Sequence, residues 1–180
     1  MAYRNGTYIA FNGMGTTDQT KSDMKYYGLL QKWNKSTGHD FSFSDSHKKT
    51  YQVSDNSSKE TLKRRLIERL SKSKHMLLII SENSSINRGL LNWEIDKAVK
   101  TYKIPIIVVY TGYTSILSPN SLSNLLPSKL QELIKSEEAN TIHIAFKQKI
   151  IDKAISDYDI NNLPPYTVTN YTKSVYDNHL

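Results

Sequence analysis

Glu94 is the acidic residue whose surroundings in the sequence best suit catalysis. It directly follows Trp93 in a predicted helix, one residue from Ile95 and four from Ala98, so it borders the buried face of that helix. A place near the helix N-terminus favours the ionised form. Such an anion beside an aromatic ring suits sugar transfer, because it can hold ribose hydroxyls and stabilise an oxocarbenium-like transition state. On these residues alone, a glutamate that only complements the helix dipole is the favoured alternative.

Other catalytic patterns are incomplete. The segment Gly13-Met14-Gly15 lacks the third glycine of a dinucleotide fingerprint, and no phosphate-binding loop of the Walker type is present. A triad of Ser81, His47 and Asp45 lacks the nucleophile elbow Gly-x-Ser-x-Gly, and two of its members share one loop. The five histidines are scattered and there is no cysteine, so no metal site and no metal cofactor are predicted.

Short apolar segments alternate with helical patterns along the chain. Five segments are predicted strands: Thr7–Phe11, Phe41–Phe43, His75–Ser81, Ile104–Tyr110 and Thr141–Ala145. Helices are predicted over Asp23–Trp33, from a capping box at Ser57 and Glu60 through Leu70, over Leu91–Tyr102, around Leu125–Ile134 and over Lys147–Tyr158. Right-handed crossovers convert this alternation into a parallel sheet with helices on both faces. We therefore predict a single, doubly wound, flavodoxin-like α/β domain with five strands in the order 2-1-3-4-5.

This strand order nominates a ligand site without any family knowledge. In doubly wound sheets, ligands bind beyond the carboxyl ends of the strands where the order reverses, here between the first and third strands. The nominated residues are Asn12, Gly13 and Met14 after the first strand, the segment 81–92 after the third, and Asp45 and His47 on the neighbouring loop.

Length and charge narrow the class of protein. The 180 residues suit one domain, which we place at 1–160, with 161–180 as a C-terminal tail that packs on the domain or is partly disordered. The net charge is +7, but the basic residues are spread out, so nucleic-acid binding is disfavoured. Their densest cluster, from Lys59 to Lys74, is interpreted as the solvated face of a helix rather than an anion-binding surface. No apolar segment is long enough to span a membrane, and we expect a cytoplasmic protein.

Several segments together resemble a TIR domain, and more narrowly the TIR-like subunit of the bacterial Thoeris anti-phage system. The similarity covers Thr7 to Tyr110. The segments that carry it are Phe41-Ser42-Phe43-Ser44-Asp45, the following polar loop, Leu70-Ser71-Lys72-Ser73, Met76-Leu77-Leu78-Ile79-Ile80-Ser81 and Trp93-Glu94-Ile95-x-x-Ala98.

The resemblance implies an enzyme that consumes NAD as its substrate. Members of the family cleave the bond between nicotinamide and ribose, and Thoeris members make a cyclic ADP-ribose isomer or a related diffusible signal that activates an effector protein. Glu94 matches the catalytic glutamate. The resemblance matches Phe11 and Asn12 to the end of the first strand that lines the nucleotide pocket, and Asp45 and Ser81 to the pocket edge. Together with Gly13, from the strand-order rule, and Trp93, beside Glu94, these residues are predicted to bind the substrate. It also raises the prospect of a homo-oligomer whose active site is completed across a subunit contact.

The sequence departs from the family at the tryptophan. Relatives usually carry it three or four residues before the glutamate, where this chain has Leu91 and Leu90, whereas its tryptophan is adjacent at Trp93. A non-catalytic scaffold that acts through contacts between TIR domains is therefore the alternative function. The enzyme predicts that Glu94 faces an open pocket beside Asn12 and Phe11, whereas the scaffold predicts that a neighbouring side chain caps Glu94.

Overall fold

A computed structural model describes residues 3–12, 23–36, 59–82, 84–85, 87 and 89–179. Several sequence predictions lie outside these residues: the strand Phe41–Phe43, the polar loop at 46–58 with Ser57 of the capping box, and the nominated site residues Gly13, Met14, Asp45 and His47.

In the described part of the chain, five parallel strands form one sheet. In spatial order they are β1 (Gly6–Ala10), β2 (Ser73–Ile80), β3 (Ile106–Tyr110), β4 (Thr141–Ala145) and β5 (Thr169–Asn170). Strands β1 to β4 are the predicted first, third, fourth and fifth strands, and they are neighbours in the predicted order. β5 was missed, because two residues in a polar segment carry no alternation that a sequence pattern could show. The α/β fold with a five-stranded parallel sheet is thus confirmed.

A helix follows each of the described strands. They are α1 (Met24–Lys35), α2 (Lys59–Ser71), α3 (Leu91–Asp96), α4 (Ser128–Lys135), α5 (Gln148–Asp157) and α6 (Lys173–Asn178). A π-helical turn, Lys97–Thr101, continues α3, and a 3₁₀ helix, Pro119–Leu125, precedes α4. The predicted helices from Asp23, Leu91 and Lys147 correspond to α1, α3 with its π turn, and α5.

Consecutive residues of β1 show that the two faces of the sheet carry different helices. Tyr8 contacts Glu94 of α3, whereas Thr7 contacts His75, whose other ring nitrogen contacts the carbonyl of Tyr158 at the end of α5. Because successive side chains of a strand point to opposite faces, α3 and α5 cover opposite sides. The side chains of β1 and of Met76–Ile80 are accordingly buried, which explains why these strands are apolar without alternation.

Two buried histidines of the sheet, His75 on β2 and His143 on β4, make hydrogen bonds as opposite tautomers. The Tyr158 carbonyl can only accept, so His75 donates from Nδ1 and its Nε2 accepts from Thr7. On β4, the Thr141 hydroxyl donates to a carbonyl at 2.6 Å, so it accepts from His143 Nε2, while His143 Nδ1 accepts from Tyr110. Burial lowers the pKa of each imidazole to about 4, so both are neutral near pH 7.

The C-terminal segment contributes to the sheet and covers it. β5 pairs with β4, and the Tyr176 hydroxyl in α6 accepts a hydrogen bond from the Ala145 amide at the end of β4. Tyr171 is anchored by its hydroxyl, which donates to Asp157 of α5 at 2.6 Å. Residues 169–178 therefore lie on the domain, while the boundary at residue 160 stays a prediction.

None of the helices in the described ranges combines the length and the apolar character needed to cross a bilayer.

We predict that acid destabilises the protein through these histidines. The unfolded chain binds their protons near the ordinary pKa of 6.5, and the folded state only near 4. Stability present above pH 6.5 is therefore lost as the pH falls through this window, by up to about 1.4 kcal/mol per pH unit for each histidine. In chemical denaturation between pH 7 and 4, His143→Gln should reduce that slope by about 1 kcal/mol per unit. An unchanged slope, equal to that of the control His179→Gln at the end of α6, would show that His143 does not carry this dependence.

Candidate active site

The spacing of buried residues on α3 places Glu94 within the apolar stripe of the helix. Leu91, Glu94, Ile95 and Ala98 are buried, and their spacing of three and four residues defines one helical face. Sequence reasoning set Glu94 at the border of that face. The structure sets it inside that face, and the π-helical turn that follows also has Ala98 and Val99 buried.

The Glu94 carboxyl is held by Tyr8, in the middle of β1. The Tyr8 hydroxyl donates to Glu94 Oε1 at 2.5 Å. Tyr8 is fully buried and Glu94 is only 4 % exposed. Burial raises the pKa of Glu94 to about 7, although the hydrogen bond from Tyr8 pulls it down. Oε2 makes no hydrogen bond with any residue that the structure describes.

Tyr8 is the site residue that sequence reasoning missed. The signal available was a polar aromatic residue inside a short apolar strand, since a buried tyrosine hydroxyl usually needs a partner. Strand parity would have placed Tyr8 on the face opposite to Thr7, but it could not show which helix covers that face.

Asn92 connects α3 to α4. Its side-chain oxygen accepts from the backbone amide of Lys129, and its amide donates to the Ser128 hydroxyl, both at 3.1 Å. The side-chain amide also donates to Asn87 at 2.8 Å. Asn92 thus caps the start of α4 and fixes the N-terminal turn of the helix that carries Glu94.

A second acidic residue, Asp23, lies at the carboxyl ends of the strands, where the ligand site is predicted. Ser81, directly after β2, donates from its hydroxyl to Asp23 Oδ2 at 3.0 Å. Asp23 precedes α1 and is buried, which raises its pKa, and the Ser81 hydrogen bond opposes that rise. The sequence analysis did not nominate Asp23. Its only signal was an acidic residue at the predicted start of the first helix.

The other nominated residues lie in several places. Phe11 and Asn12 are buried directly after β1, and Phe11 stacks on Tyr27 of α1 with ring centroids 5.5 Å apart. Trp93 is partly buried and lies under the ammonium of Lys63 from α2, 5.4 Å from its ring centroid. Gly13 and Asp45 fall outside the described residues.

Within the described residues, Glu94 is therefore capped by a neighbouring side chain, as predicted for the scaffold, and does not face an open pocket beside Asn12 and Phe11, as predicted for the enzyme. Tyr8 occupies one carboxyl oxygen, and no contact to Phe11 or Asn12 is among the hydrogen bonds of Glu94 in the described part of the chain. Among those same residues, no cluster of His, Asp and Glu side chains has the arrangement of a metal site.

The fold is that of a TIR-like domain, a parallel sheet covered on both faces by helices, and Glu94 lies on the helix after β2. A family model described as "Thoeris protein ThsB, TIR-like domain" matches residues 8–115, more than half of the chain. The chain belongs to this family, as the resemblance predicted. The match includes both Tyr8 and Glu94, and it gives the chain a defence-related context.

We predict that Glu94→Gln gains stability over wild type as the pH rises. The folded state holds the Glu94 proton up to about pH 7, whereas the unfolded chain releases it near 4.5, so wild-type stability falls across this window. Glutamine cannot ionise and can still accept from Tyr8. The unfolding free energy of the variant relative to wild type should thus increase by about 3 kcal/mol between pH 4.5 and 8. Denaturant titrations check this. Glu60→Gln, at an exposed glutamate of α2, is the control, and a pH-independent difference for Glu94→Gln would contradict the assignment.

Proposed function

We propose that this chain cleaves the bond between nicotinamide and ribose in NAD and releases an ADP-ribose product, cyclic or linear, as a signal in anti-phage defence. The single observation that supports this most is the buried Glu94 carboxyl, held at one oxygen by Tyr8 and without a described partner at the other. Family membership supports the defence context. The site of action proposed is the cytoplasm, and the signal would reach a separate effector.

The electrostatics of Glu94 suit a reaction that passes through a cation. When nicotinamide leaves, the electron pair of the glycosidic bond moves to its ring nitrogen, and positive charge develops on the ribose. A carboxylate in a desolvated place stabilises that charge more strongly than one in water. Because the pKa of Glu94 is about 7, a substantial fraction is ionised at neutral pH.

The two oxygens of the Glu94 carboxyl have different proposed roles. Tyr8 holds Oε1 and stabilises the anion, since a hydrogen bond to the charged form favours it. Oε2 then accepts from a hydroxyl of the nicotinamide-side ribose, which orients the sugar. Water or a nucleophile within ADP-ribose captures the cation and completes the exchange, with its proton passing to solvent or to Glu94.

The edge formed by Asn12, Ser81 and Asp23 is the proposed place for the rest of the substrate. These residues follow β1 and β2 at the carboxyl ends of the strands, where doubly wound folds bind nucleotides. Phe11, Gly13, Asp45 and Trp93 remain proposals for the same pocket.

A scaffold that assembles with other TIR domains is the second candidate, and one observation favours it. Glu94 is 4 % exposed and its Oε1 is capped by Tyr8, the arrangement predicted for a non-catalytic scaffold. Such a protein would need no carboxylate chemistry and would work through self-association.

We predict that Glu94→Gln abolishes nicotinamide release while preserving the fold. Losing a charge that acts mainly in the transition state should lower kcat by about 100-fold or more. Purified wild type and variant are incubated with NAD, and the products are separated by chromatography and identified by mass. Glu60→Gln, which makes the same chemical change on an exposed face, should keep wild-type activity.

Equal activity in wild type and Glu94→Gln would contradict the role of Glu94. If purified wild type releases no nicotinamide, the assay is repeated in lysate of phage-infected cells that express the protein. No release in the lysate, together with self-association in sedimentation, would support the scaffold.

Tyr8→Phe should shift the pH dependence of the reaction rather than lower it uniformly. The hydroxyl of Tyr8 lowers the pKa of Glu94, so its removal raises that pKa and moves the rising limb of activity to higher pH. The rate should fall most near pH 7 and recover towards pH 9. Tyr166→Phe, at a tyrosine that is 70 % exposed, is the control. A loss of equal size at every pH would mean that Tyr8 only supports packing.

A further inference from the structure

A cavity lies beside α4. It has a volume of about 290 Å³ and is bordered by α4, the 3₁₀ helix, β4 and the segment before β5. This volume is near the lower limit of small-molecule pockets. None of its lining residues is Tyr8, Glu94, Asn12, Ser81 or Asp23, so the proposed NAD reaction does not use it.

Apolar side chains and one aromatic ring contribute to the lining of this cavity, beside the polar residues Asn120, Ser123 and Gln131. Leu126, Ile134 and Val168 supply the apolar side chains, and the ring is that of His143, which is buried. The His143 ring stacks with Tyr110 at a centroid distance of 5.8 Å. Both of its nitrogens already have partners, so His143 offers the cavity a neutral ring rather than a free donor or acceptor. A flat apolar ring is the ligand that fits these surroundings.

The rim carries one cation that is available to a ligand. Glu132 is engaged by Lys129 at 2.8 Å. Lys135, also on the rim, forms no ion pair or hydrogen bond with the described residues. A ligand whose apolar body fills the cavity would therefore place an anionic group at Lys135.

We infer that this cavity binds a small aromatic carboxylate, with its ring against Ile134, Val168 and His143 and its carboxylate at Lys135. The assignment rests on the cavity and its rim, and it is independent of the activity proposed above.

The test is calorimetric titration of the full chain with 2-naphthoate and, as a neutral match, 2-naphthylmethanol. One 2-naphthoate should bind per chain with a Kd on the order of 1 mM or tighter. Lys135→Gln should weaken naphthoate about threefold to fivefold, as expected for one exposed ion pair, and leave the alcohol unchanged. Lys72→Gln, at the residue that follows α2, removes an exposed charge elsewhere and should have no effect.

Two variants locate the site. Ser123→Trp, at an exposed lining residue, should block both probes without disturbing the core, and Val168→Phe should block them by filling the cavity. Glu94→Gln should bind 2-naphthoate as wild type does, so this result stands or falls apart from NAD cleavage. No saturable binding, or binding that neither blocking variant reduces, would overturn the inference. Equal binding of naphthoate to wild type and Lys135→Gln would overturn the carboxylate assignment.

Discussion

The structure depends on one constraint: strands β1 to β4 are covered on both faces, so each polar group on them needs a partner within the protein. The sheet meets this need with side chains from its own strands and from the helices. His75 and His143 each use both ring nitrogens, in opposite tautomers, to satisfy neighbours on opposite faces. The Tyr8 hydroxyl has the same need, and its partner is Glu94. The placement of the carboxyl thus follows from the demands of a buried strand.

The same burial makes Glu94 costly to ionise and effective once ionised. Removing the carboxyl from water raises its pKa from 4.5 to about 7, which lowers stability as the pH rises through this window. In an enzyme such a cost is retained because a desolvated anion stabilises a developing cation. In a scaffold the same group would serve only as the acceptor for the buried Tyr8 hydroxyl, and a neutral glutamine could do that without the cost of ionisation. Family membership alone does not decide between them. Retaining an ionisable carboxyl where a neutral acceptor could satisfy Tyr8 favours the enzyme.

Much of the fold could be predicted from the sequence, since β2 and β3 are continuous apolar segments between helical patterns, and such segments occur in parallel sheets. β5 could not be predicted, because it consists of Thr169 and Asn170 in a polar segment. At the site, Glu94 was found from its neighbours on a helix. Tyr8 and Asp23 were not, since their roles depend on which elements meet across 86 and 58 residues of chain. A pattern along the chain does not contain that information. The Thoeris TIR-like assignment was confirmed over residues 8–115, while the substrate-binding residues stay predictions.

The most direct test of the account is to compare the ionisation of Glu94 with the pH dependence of nicotinamide release. The carboxyl is followed by carbon NMR in protein labelled at glutamate, with Glu94→Gln to assign the signal, and kcat/KM is measured over the same pH range. The account predicts that both midpoints coincide near pH 7. A carboxyl that titrates near its ordinary 4.5, or a rate whose midpoint is unrelated to it, would contradict the claim that the buried Glu94 carries the chemistry.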